Sequence, residues 1–145
     1  MSYLEIYIDG ASKGNPGHSG IGVVIYRNGQ ELKRISSYIG KATNNIAEYT
    51  ALIYALEEAL LLKARSLEIN TDSQLMARQI NGVYKVKHEG LKGLHARAVR
   101  LLGGFEKVLV KHIPREKNAC ADKLATEVIK ETLIMNRQNV AALCK

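Results

Sequence analysis

Four carboxylates stand out by type and position: Asp9, Glu48, Asp72 and Asp122. Asp9 closes an alternating run in which Leu4, Ile6 and Ile8 are apolar. Asp72 follows a second run, Leu67-Glu-Ile-Asn-Thr71. Glu48 and Asp122 lie in the first turns of two helical patterns. Two acids end strands and two open helices, and such ends can converge on one rim. Clustered carboxylates repel and raise each other's pKa unless a cation lies among them. Hard oxygen ligands of this kind suit Mg²⁺ or Mn²⁺. Two such ions can activate water and stabilise the leaving oxygen in phosphodiester hydrolysis. The pattern therefore points to a metal-dependent nuclease.

Each acid also has an ordinary reading. Asp9 can open an Asp-Gly turn. Asp72 can cap a helix that begins at Ser73. Asp122 can complement a helix dipole, and so can Glu48. Glu48 is the most telling of the four. Glu57 follows it by nine residues, which at about 100° per residue is the opposite side of the helix. Leu52, Ala55 and Ala59 share the Glu48 side. Glu48 thus points with the apolar stripe and Glu57 toward solvent. An inward carboxylate must be paired, protonated or bound to a metal.

Other chemistries find no support. Gly14-Asn-Pro-Gly17 lacks the Gly-Lys-Ser/Thr ending of a phosphate-binding loop. No Cys/His set has zinc spacing. No Gly-x-Ser-x-Gly motif is present. His18, His88 and His95 are isolated and read as surface residues.

The elements that must position the acids can be read from periodicity. The first 40 residues read as three antiparallel strands. The first ends at Asp9, and Asp9 to Gly17 reads as a turn-rich loop. Gly20 to Arg27 and Glu31 to Ile39 flank the hairpin signal Asn28-Gly29. Thr43-Asn44-Asn45 offers capping chemistry for a helix over Ile46 to Lys63. Then follow a strand at Ser66 to Thr71, helices at Ser73 to Asn81 and Leu91 to Leu102, a strand at Lys107 to Ile113, and a helix at Asn118 to Leu133. The order β-β-β-α-β-α-α-β-α is that of an α/β three-layer domain with a mixed sheet. Met135 to Lys145 reads as a frayed polar tail. The expected division is a domain over 1–133 and a tail over 134–145.

Composition sets the outer limits. The chain has 145 residues, 21 Lys plus Arg and 14 Asp plus Glu, for a net charge of +7. That length fits one domain. Two cysteines, Cys120 and Cys144, are too few for a disulfide framework and suggest a reducing compartment. No apolar run approaches the roughly 18 residues of a membrane span. The start, Met-Ser-Tyr-Leu-Glu, does not read as a signal peptide. The expectation is a cytoplasmic monomer with no membrane or protein partner. The positive balance agrees with a polyanionic ligand but also serves solubility.

Four segments, in order, resemble one known family, type 1 ribonuclease H. They are Asp9-Gly-Ala-Ser-Lys-Gly-Asn-Pro-Gly17, Thr43-Asn-Asn-Ile-Ala-Glu48, Thr71-Asp-Ser-Gln74, and His112-Ile-Pro-Arg-Glu-Lys-Asn-Ala-Cys-Ala-Asp122-Lys-Leu-Ala125. The resemblance runs from about Tyr3 to Thr132. It implies a ribonuclease H-like fold with a five-stranded mixed sheet, three antiparallel strands first and helices on both faces. It implies endonucleolytic cutting of the RNA strand of RNA–DNA hybrids, leaving 5′-phosphate and 3′-hydroxyl ends. It implies two Mg²⁺ or Mn²⁺ ions per site with substrate. Asp9 and Asp122 would hold the ion near the attacking water. Asp9, Glu48 and Asp72 would hold the ion near the leaving 3′ oxygen.

The resemblance also proposes substrate contacts at Gly10, Ser12, Gly14, Asn15, Thr43, Asn44, Asn45 and Gln74. Glycine-rich backbone can approach 2′-hydroxyls closely, and the amides can read them. Capping and turn roles for the asparagines are compatible with this. The active-site basic group is either His112 or Arg115, with Arg115 preferred. No tryptophan is present, and Val83 to Lys92 is too short for the basic handle of some members. Lys85, Lys87 and Lys92 could contact phosphate or simply be solvated. Two rivals remain: a non-cutting hybrid- or RNA-binding module, and a related-fold nuclease acting on DNA junctions.

Overall fold

A computed structural model of the chain describes residues 3–143, with side chains through Asn139. The strands are β1 (Tyr3–Gly14), β2 (Gly17–Arg27), β3 (Gln30–Ala42), β4 (Ser66–Thr71) and β5 (Lys107–His112). The helices are α1 (Asn44–Leu61), α2 (Gln74–Ile80), α3 (Glu89–Leu102) and α4 (Ala119–Leu143). A short 3-10 turn, Arg115–Lys117, precedes α4. The strands form one sheet in the order β3-β2-β1-β4-β5. β1, β2 and β3 are antiparallel, while β4 runs parallel to both β1 and β5. This is the five-stranded mixed sheet expected from the resemblance.

Alternation decides which side chains face which layer. Leu4, Ile6 and Ile8 of β1 and Ile21, Val23 and Ile25 of β2 are all fully buried. They join Leu52, Ala55, Leu56 and Ala59 of α1 in one core. Each such large aliphatic side chain contributes roughly 1.5–3 kcal/mol by leaving water. The other face of β2 meets α4. A Cβ at Gly22 would lie 2.2 Å from the Ala121 carbonyl oxygen, so only glycine lets α4 pack this close.

Among the boundaries that differ from the sequence reading, three have a local reason. β1 does not end at Asp9. Its ladder with β2 continues to Gly14 opposite Gly17, around a cis Asn15–Pro16 bond. The glycines and serine that read as loop pair because an antiparallel partner is at hand. The parallel pairing with β4 does stop at Ile8 opposite Thr71, so Asp9 is the first residue past that edge. The capping residue of α2 is Ser73, whose hydroxyl accepts from the Met76 amide at 3.2 Å. Asp72 is therefore not used as a cap. Finally, α4 runs on to Leu143, through much of the segment read as a frayed tail. Cys144 lies outside the described residues.

Candidate active site

Strand order builds the site. β1 and β4 are neighbours, so Asp9 and Asp72 leave the same edge of the sheet side by side. α1 brings Glu48 from one face and α4 brings Asp122 from the other. Gly10 makes the approach of α1 possible. A Cβ there would fall 2.3 Å from the Ala47 carbonyl carbon and 2.4 Å from the Glu48 amide. With no Cβ, the first turn of α1 rests on β1, and the Gly10 amide donates to Glu48 Oε1. Thr43 caps the helix, its Oγ1 accepting from the Ile46 amide at 3.2 Å.

One carboxylate oxygen from each of Asp9, Glu48 and Asp72 falls within 4.8 Å of the others. Asp9 is only 4% exposed and Glu48 only 8%. Glu57, on the opposite side of α1, is exposed and paired with Arg97 at 3.0 Å. Asp122 stands against Asp9 and completes the group. Burial pushes the Asp9 carboxyl far above the carboxylate range, and the charges of Glu48 and Asp72 push it further. A hydrogen bond with Asp122 acts the same way. Burial and the Asp72 charge also raise Glu48, against the pull of the Gly10 amide and Asp9.

The acids open into a cleft of about 470 Å³. Gly10, Ser12, Asn44, Asn45 and Arg115 also line it. Arg115 Nη2 is 3.8 Å from Asp122 Oδ1, but its side chain is 80% exposed and leaves the inner acids uncompensated. The inner charge deficit and the all-oxygen donor set fit a divalent hard cation. Asp9, Glu48 and Asp72 could hold one.

The other candidate residues brace this cleft or lie outside its lining. Asn15 Oδ1 accepts from the Asn44 amide at 3.0 Å and ties the β1–β2 hairpin to the start of α1. The Ser12 hydroxyl donates to the Ala42 carbonyl at 2.7 Å, which holds the hairpin to β3. Gly14 and Gln74 are exposed and outside the cleft lining. His112 ends β5 opposite Thr71, is exposed, and does not line the cleft. Ser73 and Thr126 line the cleft and were not singled out from sequence. Of the isolated histidines, His88 is exposed and caps α3. His18 and His95 are half-buried, against Tyr38 and Tyr49 respectively.

Comparison with known proteins places this fold and this carboxylate cluster in one family. Residues 7–128 match the family described as reverse transcriptase-like. Ribonuclease H1 from Halobacterium salinarum superposes with a TM-score of 0.87 at 39% identity, over 89% of this chain and 98% of that one. LC11 ribonuclease H1, solved in complex with an RNA/DNA hybrid, gives 0.84 at 44% identity, over 90% and 99%. A bifunctional protein of Mycobacterium tuberculosis is 38% identical over 128 residues. The chain belongs to the reverse transcriptase-like family, among its type 1 ribonuclease H members. It covers 87% of its own length in the mycobacterial match but only 35% of that protein, and 64% of the haloarchaeal ribonuclease HI sequence.

Proposed function

We propose that the protein is a metal-dependent endoribonuclease that hydrolyses the RNA strand of RNA–DNA hybrids, leaving 5′-phosphate and 3′-hydroxyl ends. The observation that carries this reading is the meeting of Asp9, Glu48 and Asp72 within 4.8 Å in a cleft that Asp122 also lines. Asp9, Glu48, Asp72 and Asp122 would hold two Mg²⁺ or Mn²⁺ ions in the presence of substrate. Such ions, when bound, make water a better nucleophile at neutral pH and offset charge on the leaving 3′ oxygen.

The chain's own groups do the rest. Asp9, central to the cluster, would serve both ions. Glu48 accepts from the Gly10 amide, which orients its carboxylate toward the cluster. Asn44 and Asn45 stand at the cleft with amides able to donate to, and accept from, a 2′-hydroxyl. Gly10 and Ser12 line the same wall. Thr43, Gly14, Asn15 and Gln74 border it and would meet the flanking nucleotides. Arg115, exposed at the rim, would be the basic group near the phosphate. The 1–133 segment would suffice for this chemistry. RNA–DNA hybrid is the partner this reading requires, with the protein acting as a cytoplasmic monomer.

The experiment is hybrid cleavage by Asp9→Asn and Asp72→Asn with Mg²⁺ or Mn²⁺. Both variants should fold and should lose at least about a thousand-fold in rate, the scale of lost electrostatic stabilisation. Full activity in either would refute the assignment.

A further inference from the structure

Asn118 is 1% exposed and lies one residue before α4. This is the position at which an asparagine normally caps a helix, its side-chain oxygen accepting from an amide of the first turn. The Asp122 amide does bond the Asn118 main-chain carbonyl at 3.1 Å, so the helix begins here. Yet Asn118 Oδ1 is buried and accepts nothing. The amide is turned the other way. Its Nδ2 donates to the Ile8 carbonyl at 2.8 Å and reaches Asp72 Oδ2 at 3.5 Å, the long end of hydrogen-bond range. The Ile8 carbonyl only accepts, so the flipped amide would set two oxygens together.

A buried carbonyl oxygen without a partner is unfavourable and rare. The side-chain oxygen makes no capping bond, and Nδ2 instead faces the Ile8 carbonyl and the Asp72 carboxylate. One N–H fixes the residue before Asp9. The other faces the Asp72 carboxylate. The main chain of the same residue starts the helix that carries Asp122. The segments that carry three of the four acids thus meet at one residue.

We infer that Asn118 is a positioning residue, which holds the Asp72 carboxylate and the Asp9 strand in register with α4 so that the acids can bind divalent cations. This inference rests on the proposed metal-dependent reading. Groups that orient metal ligands from behind typically change affinity or activity by about 10–100-fold when removed. A capping residue would affect stability alone.

The test uses the full chain and three variants: Asn118→Ala, Asn118→Ser and Ile129→Ala. Serine is a good cap but cannot reach Ile8 and Asp72, so it keeps the test sound if the alanine variant fails to fold. Ile129 is buried on α4 away from the acids and supplies a destabilised control. Mn²⁺ binding without nucleic acid, thermal unfolding with chelator, and hybrid cleavage against Mg²⁺ concentration are measured on each. The expected result is a rise of about ten-fold or more in the Mn²⁺ dissociation constant for both Asn118 variants. The Mg²⁺ midpoint for cleavage should rise in parallel, with hybrid KM unchanged at saturating metal. Ile129→Ala should melt lower and bind Mn²⁺ as the wild type does. Wild-type Mn²⁺ affinity in Asn118→Ser would overturn the inference, whatever its melting temperature. A wild-type chain that cleaves hybrid equally well with chelator would instead overturn the metal-dependent reading and this inference with it.

Discussion

Arg115 and His112 illustrate how far residue types alone can lead. Both lie in the segment that precedes Asp122, and both are basic. His112 belongs to the end of β5, while Arg115 belongs to the turn that delivers α4. Only Arg115 lines the cleft. We expect Arg115→Ala to lower kcat by about ten- to a hundred-fold, less than a buried charge-stabilising donor because the side chain is largely exposed. His112→Ala should stay within about two-fold of wild type. Steady-state kinetics on one hybrid substrate checks both, and equal, negligible losses would reject both residues. At this scale the acids could be singled out from sequence because each marks an element boundary. Helical phase aimed Glu48 inward but left a helix-dipole role open beside a metal-binding one. Ser73 shows the limit: Ser73 and Asp72 are equally good caps on paper, and only the chain path decides that Ser73 takes the role. Asn118 was missed for a similar reason. Its place before a helix suggests a cap, and nothing in a sequence reveals that the amide turns away.

Gly10 is the contact on which two elements depend. β1 and α1 touch where a Cβ would be only 2.3 Å from main-chain carbon. Gly10→Ala must therefore push α1 off β1 and carry Glu48 with it. Overpacking of this kind costs about 1–3 kcal/mol. We expect a denaturant midpoint lowered accordingly and cleavage reduced well beyond what that instability explains. Near-wild-type activity would show that Glu48 need not rest on β1. The elements were legible wherever periodicity was clean, as in β4, α1 and β5. They were misread where composition and partner disagree. Lys13 and Gly14 look like loop, yet they pair because β2 returns alongside. Helix α4 extends past Leu133 because the segment has helix-forming residues and no breaker. Its far end leaves Ile134 and Met135 exposed, beyond the helix turns that pack on β2. Truncation after Leu133 should leave kcat/KM within about two-fold, and a larger fall would assign the overhang a part in the reaction.

Over the whole molecule, a chain of net charge +7 gathers four of its 14 acids at one cleft. That has a consequence for stability. The folded-state pKa values of Asp9 and Glu48 are raised above the ordinary 3.8 and 4.5. Between those values and the raised ones, the folded state binds more protons than the unfolded state. The contribution to stability is therefore full below about pH 4 and is lost as pH rises toward the raised values. With chelator, thermal stability attributable to the cluster should fall between pH 5 and pH 8 by these signs. Asp9→Asn should flatten that dependence and melt higher than wild type at pH 8, by on the order of 1–2 kcal/mol. Divalent cations favour the ionised carboxylates, so added Mn²⁺ should stabilise wild type more at pH 8 than at pH 5 and Asp9→Asn much less. Melting curves at the two pH values check all three. A wild-type chain with no greater Mn²⁺ effect at the higher pH would remove the cluster from metal binding.

The most direct test of the central claim is cleavage of a matched substrate panel. Labelled RNA–DNA hybrid, double-stranded RNA, single-stranded RNA and DNA duplex are each incubated with the full chain and Mg²⁺ or Mn²⁺, and again with chelator. The account predicts cutting of the RNA strand of the hybrid alone, with 5′-phosphate ends, abolished by chelator. Cutting of the DNA duplex, equal cutting of RNA without a DNA strand, or hybrid binding with no cutting in either metal would contradict it.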